Sequence, residues 1–357
     1  MPAIGETHLA VARRVYGVAG VAFPRAAAAR HVHEGVANSV FGAIRLGLRG
    51  CSGAVRGARA GLGGWADPRL DGRRTDAALT MLNAIAGDHL SVDAPALAVG
   101  MTVREGGKNV NVDADAVRAA FPHAGARIVV FLHGLGDNEH RWTEPRVSPC
   151  VDAVREMGWT PVLIRLNTGL SLGENGARLA QLLSDLVRAW PVPPQRIALV
   201  GHSMGGLVAR SAAHAGRDLA PCWVDLLTDV VMVGTPHLGA DLARVAAGGR
   251  CALAVLPETS PWGRVVDRRS AGIKDLAVGL PGLRPLPGVR YRLVSGQLDR
   301  PWGLLLGDLY VRRSSATGRR RRATLFPGAD HLHLDSTSHL GLLRHPHLPQ
   351  QLESWLR

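Results

Sequence analysis

Residues 196–210 read Arg-Ile-Ala-Leu-Val-Gly-His-Ser-Met-Gly-Gly-Leu-Val-Ala-Arg. An apolar run, Ile197 to Val200, is followed by Gly201-His202-Ser203-Met204-Gly205 and then by a helix-like stretch from Leu207 to His214. Strand, sharp turn and helix in that order are what a G-x-S-x-G turn needs in order to raise a serine above a sheet. Gly201 and Gly205 answer a steric demand, because a side chain at either would crowd the neighbouring strand or helix. The helix that starts at the serine aims its unpaired N–H groups and positive dipole end at the place where negative charge would develop. A serine in an ordinary strand–helix loop is the bland alternative, and the flanking strand and helix argue against it.

Outward from this turn, short continuous apolar runs recur at Arg127–Leu132, Val162–Leu166, Val230–Val233, Val289–Val294 and Ala323–Phe326. Continuous rather than alternating hydrophobicity is what strands covered on both faces require. A spacing near ~30 residues matches successive strand–helix units with right-handed crossovers. The expected architecture is α/β, a doubly wound and mostly parallel sheet over residues 95–357. Ala96–Glu105 and Lys108–Val112 flank Gly106-Gly107 and predict a β-hairpin, after which Asp113 predicts the N-cap of a helix through Phe121. Residues 248–287 break the rhythm with prolines and glycines; a lid or cap insertion and a plain surface excursion both fit. Residues 1–94, rich in Ala, Gly, Arg and Val, predict a helical, basic N-terminal extension.

The 357 residues are 46% hydrophobic but only 4% aromatic, so Val, Leu and Ala must fill the core. The net charge of +13 is almost wholly arginine, since Lys108 and Lys274 are the only lysines. Such an excess favours anionic partners, and with no helix-turn-helix, zinc-knuckle or aromatic-basic pattern present, nucleic acid is not expected. Arg45, Arg49, Arg56 and Arg59 share one side of a helical projection, with Val40, Ile44, Cys51, Val55 and Leu62 on another. This basic amphipathic pattern fits a helix packed on the rest of the chain with its arginines solvated, and peripheral contact with an anionic membrane is the alternative. Arg319 to Arg322 form a second basic run. Cys51, Cys150, Cys222 and Cys251 lack metal or disulfide-framework spacing. No apolar run has spanning length and no secretory pattern opens the chain, so a cytoplasmic location, with or without membrane association, is expected.

The turn after the first core strand reads His133-Gly134-Leu135-Gly136. It can present the N–H of Leu135 to the serine, and Met204 can supply a second N–H, together forming an oxyanion hole. A serine needs a base, and the base an orienting acid, in the chain order Ser, Asp or Glu, His. Asp299 and Asp308 both follow the penultimate strand, and position alone leaves them even. His331, His333 and His339 follow the last expected strand, and spacing does not choose among them.

Three segments together carry a family resemblance: Val130-Phe131-Leu132-His133-Gly134-Leu135, Val200 to Arg210, and Val233-Gly234-Thr235-Pro236-His237-Leu238-Gly239. Their order resembles that of α/β-hydrolase lipases and esterases. The last is similar to the G-T-P-H-x-G signature of bacterial triacylglycerol lipases and GPI-inositol-deacylase-like proteins. In that family the acid sits in a G-D-G-L-V segment, which Gly307-Asp308-Leu309-Tyr310-Val311 resembles except that leucine replaces the second glycine; the resemblance implies Asp308, with Asp299 as the alternative. It also implies His339 as the base, from Ser338-His339-Leu340-Gly341-Leu342-Leu343-Arg344-His345-Pro346. Tyr16-Gly17, Asn83-Ala84-Ile85 and Asn167-Thr168-Gly169…Glu174-Asn175-Gly176 resemble stretches of actinobacterial esterase/lipase-like proteins. The implied activity is hydrolysis of carboxylic esters, lipid-like ones included, by Ser203, His339 and Asp308, supported by His133, Gly134, Gly201, His202 and Gly205. No metal or organic cofactor is implied. An acyltransferase or lipid-anchor deacylase of the same fold, or a non-catalytic binding relative, are the alternatives.

Overall fold

The computed structural model describes residues 72–220, 222–240, 269–299, 307–320 and 323–357. The expected basic stripe at Arg45–Arg59 and residues 248–268 of the expected insertion lie outside them. The chain divides into two compact units, Met1–Leu82 and Asn83–Arg357. Helix α1, Gly72–Asp93, runs through the boundary and has a non-helical residue at Ala86.

Unit two is built on an eight-stranded sheet. Its strands are β1 (Thr102–Glu105), β2 (Lys108–Val110), β3 (Arg127–Leu132), β4 (Thr160–Arg165), β5 (Arg196–His202), β6 (Leu227–Val233), β7 (Arg290–Gly296) and β8 (Asp330–Leu334). The order across the sheet is β8-β7-β6-β5-β3-β4-β1-β2. Strands β3 to β8 are parallel, whereas β1 pairs antiparallel with both β4 and β2. The predicted hairpin is therefore the antiparallel edge, turning at Gly106 and Gly107, both with positive φ.

The apolar runs of β3 to β7 are explained by their two neighbours. On one face Ile128, Val130, Leu132, Leu199, Val230 and Met232 meet helices α4 (Leu172–Ala189) and α5 (Met204–Ala215). On the other, Val129, Phe131, Val200, Val231 and Val294 meet α3 (Pro149–Glu156) and α7 (His347–Leu356). The two remaining helices in this numbering are α2 (Ala114–Ala120) and α6 (Ala271–Val278). As expected, the Asp113 side chain caps α2, accepting from Ala116 N–H at 2.9 Å.

One strand expectation is corrected. Ala323–Phe326 is not the last strand of the main sheet; Ala323–Thr324 pairs only with Arg319–Arg320 in a separate ribbon. Phe326 is buried as a plug, ringed by His237, Tyr291 and the Arg210 guanidinium. The last strand of the sheet is Asp-His-Leu-His-Leu, 330–334, an edge strand whose polar residues alternate with leucine. That pattern suits a strand covered incompletely, so continuous hydrophobicity could not reveal it.

Strand order reverses between β3 and β5: the chain leaves β3 outward to β4, then returns to the other side for β5. The crevice above the carboxyl ends of strands at such a reversal is where doubly wound sheets bind ligands. The His-Gly-Leu-Gly turn leaves β3 there, and Ser203 leaves β5 there.

Candidate active site

Ser203 stands between β5 and α5 with φ 53° and ψ −120°, a left-handed backbone that a non-glycine residue adopts only under strain. Its surroundings impose that conformation. The Ser203 N–H donates to Val233 O at 2.8 Å, and Gly206 N–H returns to Ser203 O at 3.2 Å. A Cβ on Gly201 would lie 2.4 Å from Gly206 N, and one on Gly205 would lie 2.6 Å from Leu132 O. Both glycines are therefore steric requirements of the turn. Ser203 is 8% exposed and sits at the N-cap of α5, where its hydroxyl makes no capping bond. The N-terminus of α5 is thus left without a side-chain cap.

The turn after β3 is held from several sides. His133 is fully buried; its Nε2 accepts the Leu166 N–H at 3.1 Å, so its Nδ1–H donates to Gly134 O at 2.9 Å. Burial holds this imidazole neutral, with its pKa below the ordinary histidine value. Gly134 leaves the space that a Cβ would share with Ser203 Cβ and His202 Nδ1, each 3.2 Å away. Gly136 N–H donates to Thr168 Oγ1 at 3.1 Å. The N–H groups of Leu135 and Met204 donate to no acceptor among the described residues. Just beyond, the buried Glu139 carboxylate takes Arg165 through both oxygens (2.6 and 2.7 Å) and Arg104 Nε at 2.8 Å. Although burial opposes the charge, Arg165 first and Arg104 after it hold the Glu139 carboxyl down at about 2.

Asp308 and His339 meet. His339 Nδ1 lies 2.8 Å from Asp308 Oδ2, both residues buried, and His339 N–H donates to Asp308 O at 2.8 Å. Asp308 Oδ1 accepts the N–H groups of Tyr310 and Val311 at 3.0 and 2.8 Å. Two backbone donors on Oδ1 and the imidazole at Oδ2 thus fix the orientation of the Asp308 carboxylate. Asp299, the alternative, is exposed and accepts from Ser336 Oγ. His331 and His333 lie on the edge strand β8, where His333 Nδ1 pairs with Ser295 Oγ at 2.9 Å. His339 packs against His202, the residue that precedes Ser203 in the chain. The His202 ring lies 4.9 Å from the His339 ring, and His202 Nε2 donates to His339 O at 3.4 Å. Burial pushes His202 well below the usual histidine range, which makes it a neutral spacer. A Cβ on Gly234 would lie 3.0 Å from His339 Cε1, so the first glycine of Gly-Thr-Pro-His leaves room for the imidazole.

A reversed parallel sheet, a strained serine at the reversal and an Asp–His pair carried on the turns after β7 and β8 together decide the class. The fold is that of the α/β hydrolases. Residues 177–246 match the family model of the PGAP1-like alpha/beta domain. Among solved structures, the chain is similar to the mature form of the Bacillus licheniformis lipase BlEst2. Identity is 20% and the TM-score 0.46, over 64% of this chain and 91% of that one. It is also similar to the Pyrococcus furiosus esterase Pf2001, at 18% identity and a TM-score of 0.42, over 66% of this chain and 80% of that one. No curated protein matches the sequence.

Some residues of this candidate site are not marked by any signal in the sequence. Tyr310 places its ring 5.3 Å from the His339 ring, and a half-exposed aromatic in a turn carries no periodic signal. Thr168 and Asn175 lie in stretches that the sequence marks only by resemblance. Asn175 Nδ2 donates to Asn167 O and Leu170 O at 2.9 and 3.2 Å, fixing the loop that presents Thr168. Asn83 anchors that loop's surroundings through Leu97 O and Val99 N–H, and a Cβ on Gly169 would strike Asn83 O. Arg210 is buried, set over Phe326, bonded to His237 Nδ1 at 3.2 Å and donating to Leu280 O and Leu283 O. The Glu139 cluster draws on three separate segments, and single-sequence reading has no means of pairing them.

Proposed function

We propose that the protein is a serine hydrolase of carboxylic esters. Ser203 is the nucleophile, His339 the general base and Asp308 the acid that orients it; Leu135 and Met204 supply the oxyanion hole. The single observation that carries this reading is the buried Asp308–His339 pair abutting, through His202, a serine whose backbone is strained in the manner of a nucleophile elbow.

The chemistry follows from which groups are free. Asp308 occupies His339 Nδ1, so Nε2 is the nitrogen left to take the Ser203 proton. As Oγ bonds to the ester carbon, the carbonyl π pair moves to oxygen, where two preorganised N–H groups receive it. Collapse breaks the ester C–O bond, and the imidazolium returns its proton to the departing alcohol. Water then enters with the same base, forms a second tetrahedral adduct and releases the carboxylic acid and Ser203. The buried, doubly anchored carboxylate keeps the neutral imidazole in the Nδ1–H tautomer, with Nε2 free to take the proton.

Lipid-like esters are the proposed substrates. Tyr310 and Leu340, two of the exposed large apolar side chains among the described residues, border Asp308 and His339 directly. They would offer an apolar chain a place to lie. No helix among the described residues is long and apolar enough to cross a membrane.

Reaction with a fluorophosphonate probe tests the assignment. The wild-type protein should be labelled at Ser203, Ser203→Ala should lose both the label and hydrolysis of short p-nitrophenyl esters, and His339→Ala should lose nearly all of both. Persistent ester hydrolysis in purified Ser203→Ala would overturn it.

A further inference from the structure

We propose that Tyr310 is a positioning residue for His339: its ring face favours the protonated imidazole, while its backbone N–H holds the acid that aims the same imidazole. The idea rests on the hydrolase reading given above and adds a residue that the reading does not require.

The turn 307–311 sets both contacts. Gly307 has φ 64° and Leu309 has φ 98°, so the chain reverses tightly around Asp308. This reversal turns the Tyr310 N–H onto Asp308 Oδ1 at 3.0 Å. It also leaves the Tyr310 ring beside His339, at 5.3 Å between centroids and 42° between planes. That separation lies within the roughly 6 Å over which an aromatic face attracts a cation. The ring has no duty in the core, because Tyr310 is 38% exposed. The segment this turn resembles carries leucine at the same position, so the turn itself does not demand an aromatic residue.

The other groups facing the imidazole make the ring's contribution readable. Asp308 contacts Nδ1 from the same turn at 2.8 Å. His202, at the end of β5, lies 4.9 Å from the ring and is held neutral by burial, so it adds no charge of its own. Arg141 and His133 bear on His202 from the segment after β3, and Gly234, after β6, is uncharged. Ester attack converts the neutral imidazole into imidazolium, and a π face beside it stabilises the state being formed more than the resting one.

Two readouts decide it, one of them independent of catalysis. The first is an NMR titration of the His339 Cε1–H resonance, assigned by its loss in His339→Gln. Tyr310→Leu should titrate at lower pH by about half a unit, the equivalent of a roughly three-fold effect. The second is the pH profile of kcat/KM on a short ester. Tyr310→Leu should move the acid limb to lower pH and reduce the plateau by about three-fold, while Tyr310→Phe, which keeps the ring, should restore both. A Tyr310→Leu titration superimposable on wild type would overturn the proposal, as would failure of Tyr310→Phe to restore it. If Ser203 proves not to be a nucleophile, the kinetic readout disappears in the wild-type protein as well, but the NMR titration still decides the role of Tyr310.

Discussion

Leu309 shows how one residue can carry strain on behalf of two others. At φ 98° a leucine sits where glycine is at ease, and the turn keeps it there because Asp308, Tyr310 and Val311 are already tied together. The same residue made the sequence ambiguous: leucine in place of the glycine of G-D-G-L-V left Asp299 open as the acid. The backbone angle explains why that family position favours glycine, and the hydrogen bonds show that leucine is accommodated without losing the turn. Strain of this kind costs on the order of 1–3 kcal/mol, partly offset by the greater freedom that glycine would bring to the unfolded chain. Leu309→Gly should therefore stabilise the protein by about 1 kcal/mol. Denaturant titration measures it, and a destabilised variant would show that side-chain contacts of Leu309 outweigh its backbone strain.

At the scale of elements, legibility followed burial. Strands β3 to β7 are covered on both faces and stood out as apolar runs; β8 lies at the edge and did not. The opposite error arose at Ala323–Phe326, where the hydrophobicity belongs to one plug residue. Ser203, Leu135 and Met204 could be placed because they sit at fixed offsets within a strand–turn–helix unit. Asp308 and His339 arrive from separate turns, and only a resemblance selected them. Glu139 is a purely tertiary device: it joins Arg104 of β1 and Arg165 of β4 to the segment leaving β3. Its carboxyl is held at about 2 in the folded state against a reference of 4.5. A folded-state value below the unfolded one means that the unfolded chain binds the extra proton, so stability is present above pH 4.5 and lost toward pH 2. That gap corresponds to about 3 kcal/mol. Glu139→Gln should remove a similar amount at neutral pH by leaving two buried guanidinium groups without their counter-charge. The stability difference between wild type and variant should narrow as the pH is lowered from 5 to 2.5; a constant difference would contradict the assignment.

Across the whole molecule, three buried histidines act in concert. His133, His202 and His237 are all depressed, in each case chiefly by burial. They remain neutral in the folded protein and take up protons once the chain unfolds below its ordinary histidine pKa. The unfolded state then binds more protons, so stability rises with pH up to about 6.5 and levels off above it. Melting temperatures should be nearly constant from pH 7 to 8 and fall progressively from pH 6.5 to 5, in a window distinct from that of Glu139. A flat profile down to pH 5 would show that these imidazoles are not neutral in the folded state.

One further consequence belongs to the hydrogen bonds just beyond the strand ends. Ser203 N–H reaches Val233 O and Gly234 N–H reaches Val294 O, so the ladder of the sheet continues into the turn that bears the serine and the glycine that makes room for the histidine. The elbow is in effect the last rung of the sheet. Loosening it requires the same opening that releases the central strands, so the serine's backbone geometry lasts as long as those strands stay paired.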